Sequence, residues 1–131
     1  MAETIHPEGW APAIGYANGM AGSGRMLFLG GQIGWNAEQQ FESDDLVDQV
    51  RQSFENVVAV VEAAGGTPSD IVSMTWFMTD LEDYGARLKE IGRAYRDVIG
   101  KHFPAMAVVE VSRLVEERAK VEIQAIAVLP G

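Results

Sequence analysis

Leu46, Val50, Phe54, Val57 and Val61 recur at intervals of three and four residues, the stripe that an amphipathic helix turns toward a core. Ser43 is expected to cap this helix, with Asp44 and Asp45 well placed in its first turn and Gly65-Gly66 as its stop. A second stripe through Tyr84, Leu88, Ile91, Tyr95 and Val98 follows Asp80 as a cap and closes at Gly100. Between the two, after a turn at Thr67-Pro68-Ser69, the segment Asp70 to Thr79 is rich in β-branched and aromatic residues and predicts a strand. Ahead of the first helix, Ala11 to Ala21 reads as a short irregular strand carrying Tyr16. Gly22-Ser23-Gly24 then forms a turn, and Arg25 to Leu29 a compact apolar strand ending at Gly30-Gly31. Two last strands are expected over about Ala105 to Leu114 and Ala119 to Leu129, joined by a charged turn at Glu116-Glu117.

The order β-β-α-β-α-β-β predicts an α+β domain with two helices on one face of a mixed sheet, spanning residues 1–131 as a single unit. Ala125 to Leu129 is apolar on both faces, so the second side of the sheet needs a cover. In a chain this short, a neighbouring subunit is the obvious one. Two carboxylates, Glu110 and Glu122, sit inside stretches that otherwise read as buried strand. Each must be paired, hydrogen-bonded or placed at a wet cavity.

Composition narrows the chemistry. The formal net charge is −9, which offers no grip on a phosphate backbone, so nucleic acid is not an expected partner. The chain has no cysteine, which removes a thiolate metal site and a cysteine nucleophile. Its two histidines, His6 and His102, match no metal-ligand spacing. Neither a signal segment nor a membrane span is apparent, so a soluble cytoplasmic protein is expected. Gly30-Gly31 lacks the spacing of a phosphate loop, and no cofactor is expected.

The segments Gly30-Gly31-Gln32-Ile33-Gly34, Glu62-Ala63-Ala64-Gly65, Thr75 to Asp80, Phe103-Pro104-Ala105, Val109-Glu110-Val111 and Val121-Glu122-Ile123-Gln124-Ala125-Ile126-Ala127 are specific when taken in this order. With them, from about Ala13 to Val128, the chain closely resembles the RidA/YjgF/UK114 family. The resemblance implies a chorismate-mutase-like fold and a homotrimer whose sheets form a central barrel, with small-molecule ligands in three clefts between subunits. It also implies cofactor-free hydrolysis of reactive enamines or imines to a carbonyl compound and ammonia. Other members carry the name translation inhibitor or endoribonuclease, which the acidic charge does not favour.

Carried over by position, the resemblance places Tyr16, the loop Gly30, Gly31, Gln32 and Ile33, the residue after Pro104-Ala105, and Glu122 in the cleft. In the deaminating branch the residue after Pro-Ala is an arginine that grips the substrate carboxylate; here it is Met106. A thioether offers neither the charge nor the paired donors of a guanidinium. Arg93, Arg96, His102 and Arg113 stay open as replacement cations. Glu122 either positions a hydrolytic water or pairs across an interface, whereas Glu110 is assigned to architecture. Trp35 is either a lid over an apolar ligand or a loop aromatic; Tyr16 either closes the cleft or packs at an interface; Trp76 and Phe77 are expected in core and interface. Three functions compete: an imine hydrolase of altered substrate, a non-catalytic trimer that captures a small metabolite, and, weakest, nucleic-acid cleavage.

Overall fold

In a computed structural model the described residues, 2–130, form eleven helices, strands and turns in one α+β layer arrangement. The chain runs through β1 (Ala2–Ile5), β2 (Gly19–Gly22), β3 (Arg25–Phe28), β4 (Gln32–Ile33), α1 (Leu46–Ala63) and a single 3-10 turn at Pro68–Asp70. It continues through β5 (Ile71–Met78), α2 (Leu81–Ala86), α3 (Leu88–Val98), β6 (Ala105–Glu110) and β7 (Val121–Leu129). The main sheet has the order β3-β7-β5-β6, with β4 also on β7. The β5–β6 pair is parallel and the others are antiparallel.

One face of this sheet is dry. Val121, Ile123, Ala125, Ala127 and Leu129 of β7 and Met74, Trp76 and Met78 of β5 point toward α1 and α3. There they meet Val50, Phe54, Val57, Val61, Ile91 and Tyr95. Phe54 anchors the aromatic centre, edge-on to Trp76 at 5.2 Å and to Tyr95 at 5.4 Å between ring centroids. Because strand side chains alternate, the intervening residues Phe77, Glu122, Gln124 and Ile126 take the opposite face. Beside them Phe28 is 70% exposed, and Met26 and Val109 are exposed as well. This is the apolar second face expected from the sequence.

Four expectations are corrected. The first helix begins after Asp45, not Ser43: Asp45 has extended backbone and its Oδ2 accepts from Asp48 N at 3.2 Å. Ser43 acts one step earlier, its Oγ accepting from Asp45 N at 3.0 Å and donating to Asp48 Oδ2 at 2.8 Å. The second helical stripe is two helices, because Arg87 leaves helical geometry (φ −123, ψ 25) to end α2 and start α3. Its guanidinium forks onto Asp45 (2.9 and 3.3 Å) and onto Glu90 (2.8 and 3.0 Å), and those fixed partners outweigh helical continuity at this residue.

The first strand is shorter than expected, Gly19–Gly22, and pairs with an unforeseen β1 in a separate two-stranded sheet. This arm is tied by Asn18 Nδ2 donating to His6 Nδ1 at 3.2 Å and by His6 Nε2 against the Trp10 carbonyl at 3.1 Å. Ala17 N donates to Pro104 O at 3.0 Å, which anchors the arm beside β6. Finally, β6 ends at Glu110 rather than running to Leu114: Val111 N still donates to Met78 O, and the chain then turns into the loop leading to β7.

The Arg87 guanidinium beside Asp45 holds that carboxyl below its usual 3.8. A lowered folded-state value means that the pair stabilises the fold above pH 3.8 and loses its contribution as pH falls through the lowered value. Asp45→Ala, which removes both cap and pair, is expected to cost about 1–2 kcal/mol in urea unfolding at neutral pH. The difference from wild type should hold at pH 5 and narrow only below the ordinary carboxylate range.

Candidate functional site

The residues singled out by the resemblance fall into two groups. The first is built where β3 passes into β4. Phe28 lies opposite Ile126, whereas Gln32 lies opposite Ile123, so the Gly30-Gly31 stretch carries one residue more than the facing strand, a bulge. Bulges re-aim the chain, and here the bulged backbone passes directly beneath Glu122. A Cβ on Gly31 would overlap the Glu122 carboxylate and its Cγ, all closer than 3.0 Å. Only glycine lets the half-buried carboxylate lie flat on the loop. Glu122 takes part in none of the ion pairs among the described residues, and its register partners are Ile33 on β4 and Phe77 on β5.

Helix α1 holds this loop in place. Asn56 Nδ2 donates to the Ile33 carbonyl at 2.9 Å and the Trp35 carbonyl at 2.8 Å. Gly34 packs so closely on Gln49 that a Cβ there would sit 2.6–2.8 Å from Gln49 atoms. Gln49 is itself 1% exposed. Its Nε2 donates to Ser43 O and Arg118 O, and its Oε1 accepts from Lys120 N. Gln49 and Asn56 hold the loop through these bonds, and the sequence carried a signal for them, two amides bordering an apolar stripe. Gln32 is half-buried with its Nε2 on Gly30 O at 3.2 Å. Trp35 packs its ring on Phe41, 5.8 Å between centroids.

The second group lies at the start of β6. Met106 is the register partner of Met74 and packs toward the helices. Tyr16 is 44% exposed in the arm, outside any strand, and borders the same depression as Met106 at the arm–β6 junction. On the helix side, Met106 also lines a cavity of about 420 Å³ walled by Trp76, Tyr84, Tyr95 and Phe103. Burial raises the phenol pKa of Tyr84 and, more strongly, of Tyr95, so both rings are neutral at physiological pH. Tyr95 donates to His102 O at 2.5 Å.

One chain does not bring the two groups together. Glu122 is paired with Phe77 and Met106 with Met74, three positions apart on β5, or about 10 Å along the strand. They also point to opposite faces of the sheet. Glu110 is exposed rather than buried, contrary to expectation, and its Oε1 accepts from Leu81 N at 3.0 Å, completing the entry to α2. No group of three or more His, Asp or Glu among the described residues is placed to hold a metal ion, and no helix among them is long and apolar enough to cross a membrane.

Comparison with known proteins places this geometry in context. Residues 8–129 match the family model described as endoribonuclease L-PSP. A RutC family protein of Haemophilus influenzae is 40% identical over 128 residues, covering 98% of each chain. The 2-iminobutanoate/2-iminopropanoate deaminase of Escherichia coli is 40% identical over 132 residues, again covering 98% of each. Among solved structures, the Rid-family protein YyfB of Yersinia pestis superimposes with a TM-score of 0.87 at 28% identity over 98% of both chains.

The contact between Gly31 and Glu122 is testable by stability. Gly31→Ala, at an exposed position without positive φ, is expected to cost about 1 kcal/mol by crowding the carboxylate. The same change in a Glu122→Ala background should cost nothing measurable, since the crowded group is gone. Equal costs in the two backgrounds would show that the carboxylate does not lie on the glycine.

Proposed function

The chain belongs to the RidA/YjgF/UK114 family, the family of the endoribonuclease L-PSP model, and on that premise we propose that it hydrolyses a reactive enamine or imine to a carbonyl compound and ammonia. The observation that carries this reading is the Glu122 carboxylate, half-buried on Gly31 and free of any ion pair among the described residues. A carboxylate so placed accepts a proton from water as the water oxygen bonds to the C=N carbon. It then returns that proton to the nitrogen. The resulting carbinolamine collapses: the C–N bond breaks, ammonia leaves, and the hydroxyl becomes the carbonyl with loss of its proton to the departing nitrogen. The names of the 40% identical relatives support the same reaction class.

The assembly belongs to the proposal. An apolar second sheet face bearing exposed Met26, Phe28 and Val109 favours burial against further copies of the chain. In a trimer, the Gly31–Glu122 half of one subunit would face the Tyr16–Met106 half of the next, joining the two groups that one chain holds apart. Met106 in place of the family's arginine means that a small imino acid would lack its charge-assisted grip on β6, so the substrate differs from that of the deaminating relatives.

The test is direct. Imino acids are released in situ by an amino acid oxidase and their hydrolysis is followed with wild type and Glu122→Gln. Acceleration by wild type, reduced about 100-fold or more in kcat by Glu122→Gln, is expected. No acceleration for any imino acid would leave a binding protein in place of an enzyme, and equal rates in the two proteins would remove Glu122 from the chemistry.

A further inference from the structure

The cavity beside Met106 is unlike the Glu122 half of the site. It lies on the helix side of the sheet, between β5, β6 and α3, and its walls are aromatic. Trp76 stacks on Tyr95 (6.0 Å, 29°), Tyr95 stacks on Phe103 (5.4 Å, 11°), and Tyr84 stands edge-on to Trp76 at 6.5 Å. The Trp76 indole Nε1 is buried with no hydrogen-bond partner among the described residues, a donor the protein itself leaves unmet. About 420 Å³ is the size of a ligand pocket, and an imino acid of three or four carbons would leave most of it empty.

One cation borders this space. Of the four that could replace the missing β6 arginine, His102 has its Nε2 on Ile71 O at 2.7 Å. Arg113 lies on a separate loop depression with Ser112 and Lys120. Arg93 does not line the cavity, and Arg96 does. Arg96 stands one turn after Gly92 on α3 and enters none of the ion pairs among the described residues. Gly92 lies beside it. A glycine inside a helix is unfavourable, yet Gly92 also lines the cavity, and a Cβ there would lie 3.5 Å from Arg96 Nη1. The guanidinium and the bare backbone of Gly92 thus lie side by side in the cavity wall.

We propose that Arg96 takes over, from α3, the carboxylate contact that Met106 cannot make from β6, and that the aromatic cavity selects acids with a bulky apolar or aromatic side chain. This rests on the imine-hydrolase reading for the identity of the substrate as an aromatic 2-imino acid, but its recognition chemistry is independent of turnover. An aromatic side chain would stack among Trp76, Tyr84 and Phe103, while the guanidinium fork holds the carboxylate beside Gly92.

Binding tests it without catalysis. The probes are 3-phenylpropanoate, its neutral amide 3-phenylpropanamide, and propanoate, titrated by calorimetry into the intact oligomer. For wild type, the aromatic acid should bind about tenfold or more tightly than the amide, and propanoate should bind weakest. Arg96→Gln should abolish the preference for acid over amide while leaving amide binding unchanged, and Arg96→Lys should keep part of it. Gly92→Leu should block both aromatic probes with a melting temperature no lower than wild type, a result that loss of folding cannot mimic. Equal affinity for acid and amide in wild type, an unchanged preference in Arg96→Gln, or tighter binding of propanoate than of the aromatic acid would overturn the proposal. The outcomes also separate the two readings. Acid-selective binding without acceleration of 2-imino-3-phenylpropanoate hydrolysis sustains Arg96 and sinks the enzyme. Rapid hydrolysis of small imino acids with no acid selectivity does the reverse.

Discussion

Strand β7 alternates its side chains between two environments that cannot be exchanged, and most of the molecule depends on that alternation. Its odd-numbered residues from Val121 to Leu129 are buried under α1 and α3, where a shift of one residue would put Glu122 and Gln124 into the core. Three strands, β3, β4 and β5, take their register from β7. The placement of Glu122 on the opposite face is therefore a consequence of the core rather than a separate arrangement. Once Ile123 is packed, Glu122 has only the other face, and the bulge at Gly30-Gly31 gives its carboxylate a surface to lie on.

The helix layer is tied to the same construction by polar contacts at its rim. Asn56 holds the carbonyls that follow the bulge, Gln49 joins α1 to the loop before β7, and Arg87 draws the start of α1 against the start of α3. The break at Arg87 also sets where α3 lies over the sheet, and with it the aromatic cavity between Tyr84, Tyr95 and Phe103. Two features thus share one framework: a carboxylate on a glycine loop at one face of the sheet, and an aromatic cavity bordered by a cation at the other.

Much of this was legible in the residues. The stripe from Leu46 to Val61 specified α1, the β-branched run after Asp70 specified β5, and the two-sided apolar character of Ala125 to Leu129 marked the buried face and the face that needs a cover. Motif order carried the family. What escaped were contacts between residues distant in sequence. Arg87 breaks a helix that periodicity alone would continue, and one of its partners, Asp45, lies 42 residues away. Pairing of β1 with β2 joins two short segments with no apolar alternation to announce them. The faces taken by Met106 and Glu122 depend on register across β5, which neither strand encodes by itself. Arg96 stood among four candidate cations until the fold placed it beside Gly92 in the cavity wall.

On the proposed assembly, the site is completed between copies of the chain, with Glu122 from one and the Met106 cavity from another. Mixing two inactive variants tests this assembly. Glu122→Ala removes the carboxylate half and Met106→Trp fills the cavity half; the two proteins are unfolded and refolded together in equal amounts and assayed for imine hydrolysis. If each cleft draws one half from each of two subunits, random assembly leaves both halves intact in about one quarter of the clefts, and a matching fraction of wild-type activity returns. If both halves came from the same chain, every cleft in the mixture would carry one lesion and no activity would return.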